Sequence, residues 1–169
     1  MKKNGFTLVE LLIVVAIIAA IAAIATPGLL RARIAGNEAS AIASLRAIGS
    51  AQATFSRSCG NGLYAGSLDI LGTGPSGSEP FVSVDLGGAP TAIKSGYAIS
   101  LSGTEASGAA ACNGTTTLTT GFHAWADPVS ATSGVRYFGS NTTSTIWQAS
   151  SSLGGMSDTA TPSAGTPIQ

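Results

Sequence analysis

Charge is what this sequence has least of. Charged side chains occupy 9% of 169 positions, eight basic against eight acidic, so the formal net charge is zero. An average soluble domain carries about 25%. No basic field exists to attract a nucleic acid, and none is predicted as a partner. Histidine occurs once, His123, and cysteine twice, Cys59 and Cys112. Two thiols and one distant imidazole lack the close spacing of a metal centre, so neither a metal nor a cofactor is expected. Aromatic residues are 6% of the chain, too sparse for a stacking platform. The carboxylates Asp69, Glu79, Asp85, Glu105, Asp127 and Asp158 are scattered, with neither paired nor metal-loop spacing. His123 falls inside a predicted strand with no Ser or Asp partner in a recognisable motif. The glycine-rich stretch Gly72–Gly77 lacks the lysine and the following helix of a phosphate loop. No catalytic constellation is left, and the chain is not read as an enzyme.

Gly, Ala, Ser and Thr fill the gap left by charge. A polar but uncharged surface suits packing against copies of itself, or an extracellular setting; a compositional bias of the lineage would produce the same numbers. The one long apolar run spans Phe6 to Ala25 and follows Lys2, Lys3 and Gly5. About 20 residues at ~1.5 Å each cover the ~30 Å hydrocarbon core of a bilayer. The lysines place its start on the cytoplasmic side. A secretory signal has its small-residue cleavage site after the apolar core, whereas here Gly5 precedes it. A cut after Gly5 leaves the apolar segment on the mature chain, with Phe6 first. A single carboxylate, Glu10, interrupts the run. Unpaired in lipid it costs several kcal/mol, so it marks a functional position with a charged partner.

The segment Lys3-Asn4-Gly5-Phe6-Thr7-Leu8-Val9-Glu10-Leu11-Leu12-Ile13-Val14-Val15-Ala16-Ile17-Ile18 closely resembles the class III signal of type IV pilins and type II secretion pseudopilins. The resemblance covers roughly the first 30 residues. It implies a prepilin peptidase that cuts between Gly5 and Phe6 and then N-methylates Phe6. It also implies that Glu10 serves assembly with pilus or secretion machinery, into a helical homo-oligomeric filament. An ammonium at Phe6 and a carboxylate at Glu10 are each expensive in lipid and offset one another when paired. Pairing between neighbouring copies would set the axial register; pairing of Glu10 with its own N-terminus is the other reading. Pro27 falls where the family commonly carries a helix-disturbing proline. The implied fold is α+β and pilin-like. A long helix over about 6–58, kinked near Pro27, packs its C-terminal half on a small antiparallel sheet.

The residues support the same layout. Pro27 removes a helical hydrogen bond and Gly28 adds its own penalty, so the helix is expected to bend or melt around Ala19–Gly28. From Leu29 a helical pattern resumes. Ile34, Ala41, Leu45, Ile48, Gln52 and Phe55 form one stripe with Ile42 beside it, cleanly apolar only from Ala41 because Arg31 and Glu38 occupy its upper end. Gly60 and Gly62 end the helix near Arg57–Cys59. The stretches Tyr64–Leu71 and Thr73–Pro80 read as a connecting loop with a short helix around Ser67–Leu71. Strands are expected at Phe81–Leu86, Gly96–Ser102, Thr116–Ala126, Gly134–Gly139 and Ser144–Ala149. In an exported head the two cysteines most simply pair, closing about 50 residues for roughly 4 kcal/mol; two unpaired buried thiols are the alternative. Many pilins instead close a loop near the C-terminus, so this bridge would be a departure. The Ser/Thr/Pro-rich tail is expected to be poorly ordered or to lie on the filament surface. Asn113-Gly114-Thr115 and Asn141-Thr142-Thr143 match a glycosylation pattern, a match read as mostly chance.

The expected domains are therefore a leader 1–5, a membrane or filament-core half-helix 6–27, an amphipathic half-helix 28–59, a head 60–149 and a tail 150–169. The resemblance places the chain in the bacterial inner membrane by a single pass and then in an extracellular type IV pilus. A pseudopilin confined to the periplasm is the alternative. A plain anchored binding protein with an unprocessed signal is the third reading.

Overall fold

A computed structural model describes residues 6–76, 78–106 and 110–168. One helix dominates it, α1 (Leu8–Ser58), capped at its N-terminus by Thr7. Its backbone is helical straight through Pro27 and Gly28, so the expected bend is not a break in the isolated chain. The Thr26 hydroxyl donates to the Ala22 carbonyl at 2.7 Å, beside the hydrogen bond that proline cannot make. The helix ends at Ser58, where the sequence put its end. Asn61 and Gly62 then take left-handed backbone angles, and the Gly62 N–H donates to the Ser56 carbonyl, which reverses the chain.

Burial on α1 starts abruptly. Everything from Phe6 to Arg33 is exposed, while Glu38, Ala41, Ser44, Leu45, Ile48, Ala51, Gln52, Phe55 and Ser56 are buried. The expected stripe is the one that packs, except that Ile34 is only half-buried and Glu38 joins it. Small residues, Ala41, Ser44 and Ala51, fill its margins and let the helix approach the sheet closely.

The head follows as β1 (Tyr64–Ala65), α2 (Leu68–Leu71), α3 (Val84–Gly87), β2 (Thr91–Lys94), β3 (Tyr97–Ser102), β4 (Glu105–Ala106), β5 (Leu118–Thr119), β6 (His123–Pro128), β7 (Tyr137–Asn141), β8 (Ile146–Ala149) and β9 (Thr166–Ile168). Six strands form an antiparallel sheet in the order β2-β3-β6-β7-β8-β9, and β1-β5-β4 form a small second sheet. The β2–β3 hairpin turns on Ser95 and Gly96, both with positive φ, the two-residue geometry that matches strand twist. Tyr97, Ile99, Leu101, Ala124, Ala126 and Phe138 face the helix and share one core with Leu45, Ile48 and Phe55. The fold is thus α+β: a long N-terminal helix on an antiparallel sheet, the pilin-like arrangement.

Several local expectations are corrected. Phe81–Leu86 is not a strand: Val84–Gly87 is a short helix, with Leu86 buried and Val84 facing outward. Thr116–Ala126 is two strands in different sheets, separated at Thr120–Phe122. Gly134, Val135 and Arg136 precede β7 instead of opening it, and a Cβ on Gly134 would run into the Tyr97 hydroxyl. The strand β2 was not expected, since Thr91–Lys94 alternates weakly. The tail is packed on its own sheet: Leu153 and Met156 are buried and β9 pairs with β8. Both Asn-X-Thr asparagines have structural duties. Asn141 is fully buried and donates to the Ser157 and Ala160 carbonyls, and Asn113 donates to those of Ile70 and Thr73.

Candidate assembly segment and its coupling to the head

The cut site expected after Gly5 has its first half outside the described residues. Phe6, the residue expected to become the N-terminus, is 80% exposed just before the helix. Glu10 closes a capping box. Its Oε2 accepts from the Thr7 N–H at 2.9 Å and the Thr7 hydroxyl at 2.6 Å, while the Glu10 N–H donates back to Thr7 Oγ1 at 3.2 Å. One carboxylate oxygen thus holds the first turn of the helix. The other, Oε1, takes no hydrogen bond among the described residues. The sequence showed the carboxylate but not that Thr7 would share it.

The rest of the apolar run has nothing to pack on. Leu8, Val9, Leu11, Leu12, Ile13, Val14, Val15, Ile17, Ile18, Ile21, Ile24 and Leu29 are all exposed, on every side of the helix. A helix apolar all round needs lipid or like helices around it. Among the described residues, α1 is the one helix long and apolar enough to cross a membrane.

Where α1 meets the head, a charged clamp fixes its orientation. Glu38 is 4% exposed, and its carboxylate accepts from Arg136 Nε at 2.9 Å and Nη2 at 2.6 Å, and from the Val135 N–H at 3.3 Å. Arg136 reaches on to Gln148 at 2.7 Å, which ties β8 into the clamp. Burial pushes the Glu38 carboxyl up, but the bonds from Arg136 and Val135 outweigh it, and the group stands below the usual carboxylate range. Tyr97, buried beside the clamp, donates to the Arg136 carbonyl at 2.8 Å, and burial with the nearby Glu38 charge pushes its phenol up to about 12. Deeper in, fully buried Gln52 makes a matched pair of bonds with the Ala65 backbone, at 2.8 and 2.9 Å. It supplies β1 with an edge partner that no strand provides.

Cys59 and Cys112 form the expected disulfide, joining the helix end to the loop before β5, and the Cys112 N–H donates to the Cys59 carbonyl at 3.0 Å. His123 does have an acid partner. Asp158 lies 2.6 Å from its Nδ1, brought from the tail 35 residues away, a separation that hid it in the sequence. No Ser or Thr hydroxyl bonds the imidazole among the described residues, and Nε2 faces the Gly154 carbonyl at 3.1 Å. The pair therefore lacks the nucleophile of a triad.

Compared with known families, residues 1–26 match the prokaryotic N-terminal methylation motif. That segment is the class III signal of type IV pilins and pseudopilins. Together with the helix-on-sheet fold it supports a subunit of the pilin or pseudopilin kind. The chain has no significant match among curated proteins or solved structures.

Proposed function

We propose that this chain is a structural subunit of a type IV pilus, released by cleavage between Gly5 and Phe6 and polymerised through α1. The observation that carries the reading is the division of one continuous helix. Its lower half is buried on the head from Glu38 onward, and its upper half, Phe6 to Arg33, is exposed throughout and wholly apolar from Leu11 to Ala25, below a charged first turn. In the membrane that half is an anchor. In a filament the same surface is buried among its copies, and the heads form the outside.

Glu10 has the geometry for two tasks. Oε2 caps its own helix, and Oε1 is available to the Phe6 ammonium of the next copy. Each charge compensates the desolvation of the other, so addition of a subunit at the wrong height leaves two buried charges unpaired. Pro27 and Gly28 make the middle of α1 its weakest part, and local opening there would let the helix adjust when it leaves the bilayer. The partners are the peptidase, the inner membrane before assembly, and the assembly machinery. No cofactor enters this role, and the subunit is not an enzyme.

The test is imaging of sheared surface filaments from cells carrying the wild-type chain or Glu10→Ala. The account expects long fibres made mainly of this chain, and loss of fibres in the variant while the precursor still inserts in the membrane. A chain confined to the periplasm would support the secretion pseudopilin instead. Normal fibres from Glu10→Ala would remove Glu10 from assembly.

A further inference from the structure

We propose that residues 150–160 form a pH-responsive strap over the outer face of the sheet, with His123 in its imidazolium form as the clasp. This does not depend on the filament reading. The strap occupies a built seat. Leu153 and Met156 are buried against Trp147, with Trp125 and Ala149 packed beside them. Three glycines make room for it. A Cβ on Gly139 would meet Met156 Sδ at 2.8 Å and Leu153 at 3.0 Å, one on Gly121 would meet Asp158 Cβ at 2.8 Å, and one on Gly154 would meet the Trp125 ring at 3.0 Å. Larger residues at these points would lift the strap from the sheet.

Alternate residues of β6 hold it down. His123, Trp125 and Asp127 share the outer face. Asp127 Oδ2 accepts from the Ser152 hydroxyl at 2.6 Å. Trp125 supports Gly154 and stacks on His123 with ring centroids 5.4 Å apart. Each nitrogen of His123 faces an oxygen of the strap: Nδ1 lies 2.6 Å from Asp158 Oδ1, and Nε2 lies 3.1 Å from the Gly154 carbonyl. A neutral imidazole has one N–H, whereas the imidazolium has two. Only the charged ring donates to both oxygens. Asp158 is equally committed, because its Oδ2 accepts from the Thr104 N–H and hydroxyl, both at 2.7 Å.

Among the described residues, the groups around the ring leave Asp158 as its one charged contact. Strand β3 places Ser102 opposite His123, and β7 places Asn141. The loop before β4 brings Thr104, whose neighbour Glu105 is exposed and makes no bond to the ring. Asp127 lies further along β6 and is engaged by Ser152. A shallow cavity of about 420 Å³, lined by Thr104, Thr120, His123 and Asp158 among others, gives water access to the pair. The sign follows. As pH rises and the ring loses its proton, one nitrogen turns a lone pair toward an oxygen and the clasp weakens. As pH falls the clasp persists, because Asp158 stands below the usual carboxylate range: burial raises it, and the bonds from His123 and Thr104 outweigh that. Opening the strap would uncover Trp125 and Trp147.

Hydrogen exchange of the full-length chain in detergent micelles tests this, between about pH 5.5 and 8.5 and corrected for intrinsic rates. Protection of amides in 150–160 should fall roughly fivefold or more as pH rises, while core amides of α1 do not change. In His123→Gln, which keeps one donor and one acceptor, that slope should vanish. A flat strap profile in the wild type, or the same slope in His123→Gln, would overturn the proposal. If the variant does not fold, the single histidine decides by NMR. At about pH 6, two ring N–H protons both protected from exchange with water support the clasp, and rapidly exchanging ring protons refute it.

Discussion

Glu38 is the residue on which the orientation of helix and head depends. It is nearly fully buried, and Arg136 supplies most of its donors from a position half open to water. The two ends of the pair are therefore unequal. Arg136→Ala leaves a buried carboxylate with one backbone donor and should cost about 2–3 kcal/mol, whereas Glu38→Gln, which keeps an acceptor and frees a reachable cation, should cost less. Denaturant titration of the two variants in micelles checks the order. The pH dependence follows from the lowered Glu38 carboxyl. Its contribution is complete above the usual carboxylate range and is lost as pH falls through the lower folded value. Arg136→Ala should weaken that acid-side loss. In sequence terms Glu38 looked like a flaw at the top of an apolar stripe. Its partner, 98 positions away, could not be found without the fold.

At the scale of elements, α1 was legible almost throughout. Its apolar run, its stripe from Ala41 and its glycine stop are all local signals of period 3.6 or of backbone freedom. The strands were less so. Where alternation is strong, as in Tyr97-Ala98-Ile99-Ser100-Leu101, the reading holds to within a residue. Where burial is one-sided and the residues are small, tertiary pairing decides, as in β2 and the tail strand β9. The tail composition suggested poor order because its few apolar residues, Leu153 and Met156, look isolated until Gly139 opens a seat for them. Two predictions belong here. Cys59 is buried but Cys112 is exposed, so a reductant can reach the bridge, and reduction should cost roughly 4 kcal/mol of head stability, read as a shift in denaturation midpoint. Pro27→Ala restores a donor to the helix. Amides over 19–28, expected to exchange fastest in α1 once assembled, should exchange more slowly in the variant.

For the whole molecule, the design is one rod with two surroundings. The head folds on the lower half of α1 with its own core, clamp and disulfide, and asks nothing of the upper half. The upper half has no partner among the described residues, and its charges lie only at its two ends, Glu10 in the first turn and Arg31 and Arg33 where it nears the head. In the proposed role, that separation would let an anchor become a polymer core without refolding the head. The motif over residues 1–26 and this geometry point the same way, and the proposed cut before Phe6 would link them. The most direct measurement is mass spectrometry of the N-terminal peptide from sheared surface filaments. The expected main filament component is a chain that begins at N-methylated Phe6, with residues 1–5 absent. A chain that still begins at Met1, or filaments that lack this chain, would contradict it.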